Sequence, residues 1–96
     1  MKLFGSRNSR SLRCVWALEE ANATYDYQRV WMTKGDGQKP EFKAVNPAGK
    51  IPVLQHGALT LTESVAIMFY VADKFPQAGL IPSDAIARAE MYRWIF

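Results

Sequence analysis

Ninety-six residues, 49% hydrophobic and including three Trp, four Tyr and five Phe, make at most one complete small domain with enough apolar side chain for a core. Twelve Lys and Arg against nine Asp and Glu leave a net charge of +3, an excess that suits small anions and falls short of a nucleic-acid-binding face. One cysteine, Cys14, and one histidine, His56, exclude an internal disulfide framework, leave a metal site short of ligands and, without Cys-x-x-Cys, count against a dithiol redox enzyme.

The start, Met1 to Arg7, lacks the apolar run of a signal peptide. No segment approaches a membrane span. A soluble cytoplasmic protein without a membrane partner is expected.

Lys2 to Gly5 reads as a first strand. From Ser9 to Asn22, Leu12, Val15, Trp16, Leu18 and Ala21 recur at helical spacing. Cys14 and Ala17 lie off that stripe, so this helix is apolar on more than one face and calls for cover on two sides. Tyr25 to Trp31 holds strong strand formers. Thr33 to Lys39 is a polar, glycine-containing loop, and Pro40 to Val45 a short helical turn with Pro in first position. Ile51 to Gln55 and Ala58 to Leu61 form a hairpin around His56-Gly57. A helix opens at Thr62 or Glu63 and runs to about Lys74, closed by Pro76 and Gly79.

A strand–helix–strand start implies parallel pairing through a right-handed crossover, and the hairpin adds antiparallel strands. The expected fold is α/β: a mixed four-stranded sheet, βαβ then ββα, flanked by helices. Asp84 can cap a last helix to Phe96, with Ile86, Ala87, Met91, Trp94 and Ile95 apolar in it. That apolar end reads as the first helix of a further helical domain, which would also cover the second face of the first helix.

Three places carry chemistry. In Asn46-Pro47-Ala48-Gly49-Lys50-Ile51-Pro52-Val53-Leu54 a strand is entered through Ile51-Pro52, leaving a ladder bond unmade. A cis bond is expected there, turning the Ile51 amide and carbonyl out toward a bound peptide; a plain trans proline is the bland alternative. Glu63 and Ser64 open a helix whose free N–H groups and dipole favour an anion, and an ordinary acidic cap explains them equally. In the turn Ser6-Arg7-Asn8-Ser9-Arg10-Ser11, Arg7, Arg10 and Arg13 crowd a helix start against its dipole. Such a break with local rules tends to mark a functional site, and hydroxyls, helix start and arginines together suit a thiolate; a solvated, serine-capped loop is the alternative. His56 is expected at the surface in the hairpin turn, and Cys14 as a packed apolar residue. Lys50 is either a solvated charge or a partner for a ligand carboxylate.

Three stretches in order resemble the N-terminal, thioredoxin-like domain of cytosolic glutathione transferases, in the style of bacterial members. They are Ser9-Arg10-Ser11-Leu12-Arg13 leading to Trp16-Ala17-Leu18-Glu19-Glu20, the Asn46 to Leu54 segment, and Leu61-Thr62-Glu63-Ser64-Val65-Ala66-Ile67. The resemblance implies a glutathione-binding domain over 1–77, with 78–96 a linker and the start of a helical domain. It implies a transferase, homodimeric and detoxifying, that binds glutathione, needs no metal and directs the thiolate onto a small electrophile. By resemblance, Glu63 and Ser64 take the γ-glutamyl group, the Ile51 main chain beside Pro52 pairs with the cysteinyl unit, and Lys50 with Gln38 or Lys39 sits near the glycine end. The thiolate's donor falls on Ser9 first, Asn8 second and Ser11 third. A non-catalytic interaction module of the same fold, or a glutathione-dependent disulfide reductase or peroxidase, are the alternatives.

Overall fold

Leu3 and Phe4 point to opposite faces of one strand, and that alternation sorts the core into two layers. The computed structural model describes residues 1–96. Its sheet is built on β1 (Lys2–Gly5) and β3 (Val53–His56), paired antiparallel with Leu3 opposite Leu54 and Phe4 opposite Val53. β2 (Asp26–Arg29) runs parallel to β1 on one edge and β4 (Leu59–Thr62) closes the other, giving the order β2-β1-β3-β4.

On one face Leu3 and Leu54 meet Cys14, Ala17, Leu18 and Ala21 of α1 (Ser11–Glu20) and its C-terminal turn, and Ile67 and Val71 of α3 (Ser64–Lys74). On the other, Phe4 and Val53 pack with Val30 and with Phe42 of α2 (Pro40–Lys43). Each buried large apolar side chain stabilises the fold by about 1.5–3 kcal/mol. Both sheet faces are thus covered, as the strand and helix order predicted, and Ile51–Pro52 is cis, as expected.

Several details differ from the sequence reading. α1 starts at Ser11 rather than Ser9, because Ser9 is held in the preceding turn. Its buried face is Cys14, Ala17, Leu18 and Ala21, at i, i+3, i+4 and i+7, whereas Leu12 and Trp16 are 59% and 68% exposed. The bulkier Leu12 and Trp16 misled: the face turned to the core is the one shared with Leu3, Leu54, Ile67 and Val71. Gly57-Ala58, not His56-Gly57, makes the hairpin turn, since Gly57 takes the left-handed conformation at φ +59°. His56 therefore ends β3 half-buried, its Nδ1 2.7 Å from the Tyr70 hydroxyl, rather than standing at the surface.

The 33–39 stretch is two single 3-10 turns, Met32–Lys34 and Asp36–Gln38. Beyond a third, Pro76–Ala78, α4 (Ala85–Ile95) is capped by Asp84, whose Oδ2 accepts from the Ala87 amide at 2.9 Å. α4 touches α3 through Phe69, edge-on to Tyr92 and Phe96. Between α1, α3 and α4 lies an apolar groove of about 430 Å³, walled largely by Trp16, Val65, Met68, Phe69, Met91 and Trp94. No helix is long and apolar enough to cross a membrane.

Candidate functional site

Antiparallel pairing of β3 and β4 sets Val53 opposite Thr62. The ladder ends there, and at that same end the chain passes to Pro52 and Ile51 on one strand and to Glu63 and Ser64 on the other. β3 begins only at Val53, so Ile51 lies outside the ladder. Glu63 is exposed and held at φ +70°, ψ +121°, a conformation a non-glycine residue adopts only when its surroundings impose it. α3 starts at once after it, which leaves its first amides without intrahelical acceptors. Ser64 is 6% exposed. Its hydroxyl makes no hydrogen bond within the chain, and no side-chain polar atom is sealed in without a partner, so this oxygen opens to the surface. The Ser64 carbonyl accepts from the Cys14 thiol at 3.7 Å, tying α3 to the first turns of α1. Burial pushes that thiol up to about 12, against a smaller lowering by Arg13. Cys14 is accordingly a packing residue, as expected, and not a nucleophile.

The Ile51–Pro52 segment is fixed from beneath. Buried Asn46 donates through Nδ2 to the Lys50 carbonyl at 2.8 Å and accepts from the Ala48 amide at 3.1 Å. Gly49, at φ +68°, crosses so close to Gly37 that a Cβ on Gly49 would fall 2.6 Å from the Gly37 carbonyl oxygen. The same Cβ would lie 2.9 Å from Gln38 Nε2, so the Gln38 amide is brought to this segment. Lys39 is directed elsewhere: its ammonium pairs with Asp36 at 2.9 Å. That bond, with the Trp31 amide, holds the Asp36 carboxyl below its ordinary range and raises the Lys39 ammonium in return.

Across the cleft stands the turn from Ser6 to Ser11. The Ser9 hydroxyl lies 2.7 Å from the Ser6 carbonyl and 2.8 Å from Ser11 Oγ, and accepts from the Ser11 amide at 3.1 Å. Ser11 is fully buried, its Oγ accepting from the Ser6 amide at 3.3 Å. Gly5 leaves the room for it, since a Cβ there would stand 2.7 Å from Ser11 Cβ. Asn8 is exposed and takes no part in this knot.

Asn8, Ser9, Lys50 and Ile51 together line a cleft of about 620 Å³. Ser11 does not reach it, and none of Gln38, Lys39, Pro52, Glu63 and Ser64 forms its wall. Arg7, Arg29, Trp31, Met32 and Thr33 complete most of the lining. The cleft wall thus carries Arg7, Arg29 and Lys50 and no carboxylate, a field that favours an anion. Sequence reading passed over Arg29 and Trp31. Their signal was the alternation Arg29, Trp31, with Lys34 following: the Arg29 guanidinium stacks 3.9 Å from the Trp31 ring centre and the Lys34 ammonium sits 4.5 Å from it.

A scan of known families matches the chain over residues 1–73 to the N-terminal domain of glutathione S-transferases. A probable glutathione S-transferase, GSTF2, of Oryza sativa subsp. japonica is 47% identical over 96 residues, covering 99% of this chain and 45% of its own length. Among solved structures, a glutathione transferase homologue from sulfitobacter with bound glutathione superposes with a TM-score of 0.92 at 35% identity, over 96% of this chain and 45% of that one. A maleyl pyruvate isomerase described as a bacterial zeta-class glutathione S-transferase gives 0.91 at 34% identity, over 97% and 44%. Similar proteins thus include a plant one beside the bacterial style expected. The chain spans less than half the length of these relatives. A matched domain over most of the chain, and its sheet order and cis Ile51–Pro52, make it a member of the glutathione S-transferase family through that family's N-terminal, thioredoxin-like domain.

Proposed function

We propose that residues 1–77 are the glutathione-binding domain of a glutathione transferase, with 78–96 a linker and the first helix of a helical domain. Glutathione offers an extended main chain with a carboxylate at each end, and the cleft, with Gln38 and the α3 start outside its wall, offers a matching set of partners. The α3 N-terminus, Ser64 and Glu63 receive the γ-glutamyl group: N–H groups and hydroxyl for its carboxylate, the Glu63 carboxylate for its ammonium. The Ile51 main chain takes the cysteinyl unit as an added strand would. Lys50 and Gln38 meet the glycine carboxylate, with Lys39 the more distant contributor because Asp36 engages it. The thiol then faces the turn before α1, where Ser9 and Asn8 line the cleft and Ser11 supports from behind.

The chemistry is activation of a bound nucleophile. Positive charge from Arg7 and the donors of the turn favour the thiolate, which attacks an electrophilic carbon; the leaving group departs with the bonding electron pair. A cytosolic homodimer acting on small electrophiles is the setting proposed for the intact protein. The observation that supports this reading most is the cis Ile51–Pro52 entrance to β3, outside the ladder, at the same end of the β3–β4 pair as the α3 start with its unbonded Ser64 hydroxyl. Calorimetry with glutathione tests it, and the intact protein should bind with a simple one-site isotherm. Turnover of an electrophilic aromatic chloride, a mixed disulfide and a cis-unsaturated diacid then separates conjugation, reduction and isomerisation. No heat of binding at millimolar glutathione would remove the proposal.

A further inference from the structure

We propose that the electrophile taken up beside glutathione is an aromatic acid, and that Arg29, helped by Arg7, selects it. The inference rests on the glutathione reading above and names the substrate class of that same site.

A second hollow, of about 410 Å³, adjoins the cleft at the edge of the sheet. Leu12 and Val15 of α1 supply part of its apolar wall, and Tyr25 and Tyr27 the rest. Ser6, Arg7 and Arg29 line both cavities and so form the boundary between them. The wall follows from spacing: Tyr25, Tyr27 and Arg29 stand two residues apart, and alternate residues of a strand share a side. β2 is an edge strand, paired with β1 alone, which leaves that side open. Val15 and Tyr25 also pack on the larger core cluster, so this part of the wall is held in place.

The positive charge at the boundary exceeds what glutathione uses. Its two carboxylates are assigned to the α3 start and to Lys50 with Gln38, which leaves Arg29 without a ligand group. Nor is Arg29 spent inside the chain. The ion pairs join Lys39 to Asp36 and Arg93 to Glu90, and neither Arg7 nor Arg29 takes part. Stacking on Trp31, 3.9 Å from its ring centre, covers a flat face of the Arg29 guanidinium and leaves the N–H groups at its rim to donate. A planar carboxylate matches that rim with two parallel hydrogen bonds.

The carboxylates nearby do not cancel this charge. Asp36 and Glu41 share a different cavity with Arg29, and Asp36 is held by Lys39 and the Trp31 amide. Burial, and then Glu19, hold the Tyr25 hydroxyl above its ordinary range, yet Glu19 lies outside the wall of the hollow. An aromatic and aliphatic wall with two cations and no carboxylate suits an aromatic anion. Reaction with such a partner brings two negative charges together, and Arg7 and Arg29 offset the repulsion. With a chlorinated dinitrobenzoate, the thiolate sulfur attacks the chlorine-bearing carbon. The carbon–sulfur bond forms, the nitro groups carry the added charge, and chloride departs with the electron pair of the carbon–chlorine bond.

The test is calorimetry on the intact protein saturated with glutathione, titrated with meta-dinitrobenzoate or with the matching benzamide. The two share a ring and differ in charge, and neither reacts, for want of a leaving group. Saturating glutathione occupies Lys50 and the α3 start, so those groups cannot supply the binding. The acid is expected to bind at least about tenfold more tightly than the amide, the effect of a charged hydrogen-bonded pair. Arg29→Gln should cut that preference to about threefold or less. Lys34→Gln removes the same charge from the other cation on Trp31, outside both walls, and should keep the preference. Turnover of the para-chloro derivatives, each corrected for its uncatalysed rate with glutathione, should follow the same order. The proposal is overturned if the parent binds acid and amide alike or binds neither, if Arg29→Gln keeps the preference, or if Lys34→Gln loses it equally. An absent glutathione isotherm would instead strike the underlying reading, whereas each of these results arises with that isotherm intact.

Discussion

Replacing Ser64 by Ala removes one atom from the α3 start and leaves its surroundings in place. The 3.7 Å contact with Cys14 is made by the Ser64 carbonyl, so it survives. Ala is the best helix former, and the Ser64 hydroxyl has no partner inside the chain to leave stranded. Stability should therefore hold or rise slightly. In the proposed complex the hydroxyl donates to a carboxylate, and a hydrogen bond to a charged group contributes about 1.5–3 kcal/mol. At about 1.4 kcal/mol per decade, the dissociation constant of glutathione should rise roughly 10- to 150-fold. Binding should not vanish, because the N-terminal amides of α3 and their dipole remain, an effect of about 0.3–1 kcal/mol on an anion. Isothermal titration calorimetry on parent and variant, with melting temperatures alongside, reads both quantities. A dissociation constant within threefold of the parent, at an unchanged melting temperature, would refute the assignment of Ser64 to the γ-glutamyl carboxylate.

Gly49→Ala should destabilise the fold by about 1–3 kcal/mol, since the residue sits at φ +68° and the new Cβ would meet the Gly37 carbonyl at 2.6 Å. Urea unfolding measures that loss, and the shift it forces on Lys50 and Ile51 should weaken glutathione binding in the same preparation. Cys14 should resist thiol reagents in the native protein at pH 8 and react rapidly in denaturant, because burial holds its thiol up to about 12 against an ordinary 9.0. The raised folded value also sets a sign. Below pH 9 both states keep the proton. Between 9 and about 12 only the unfolded chain releases it, so this group lowers stability as pH rises through that window, and Cys14→Ala should flatten the alkaline limb of the stability curve.

Much of the fold was legible because alternation and helical period are local. Leu3, Phe4, Val53 and Leu54 each announce a strand buried on both faces, and the β1, α1, β2 order fixes the parallel pair. What the sequence misreported was which apolar residues face inward. Trp16 and Leu12 dominate any hydropathy reading of α1, yet the buried face is Cys14, Ala17 and Leu18, with Cys14 against the start of α3. Trp16 instead lines the groove shared with α4, a surface that exists only once three helices are assembled. The one-residue shift of the hairpin turn has a similar origin: Gly57 takes the left-handed conformation as the first of the two turn residues, which draws His56 into β3 and within 2.7 Å of Tyr70.

For the candidate site the limit was different in kind. Residue types and spacing located the segments, because a proline at a strand entrance and an acid–hydroxyl pair at a helix start are unusual in one dimension. They did not reveal how many hydrogen bonds each polar atom had already committed. Six consecutive residues, Ser6 to Ser11, hold three hydroxyls, and by composition any of them qualifies as a thiol donor. In three dimensions the Ser9 hydroxyl is engaged by neighbours at 2.7, 2.8 and 3.1 Å, and Ser11 is enclosed because Gly5 makes room for it. Asn8, which the sequence ranked below Ser9, takes part in none of these bonds. A polar side chain can serve a ligand only with the valences its fold leaves over, and in this turn those differ between Ser9, Ser11 and Asn8 although all three are polar in the sequence.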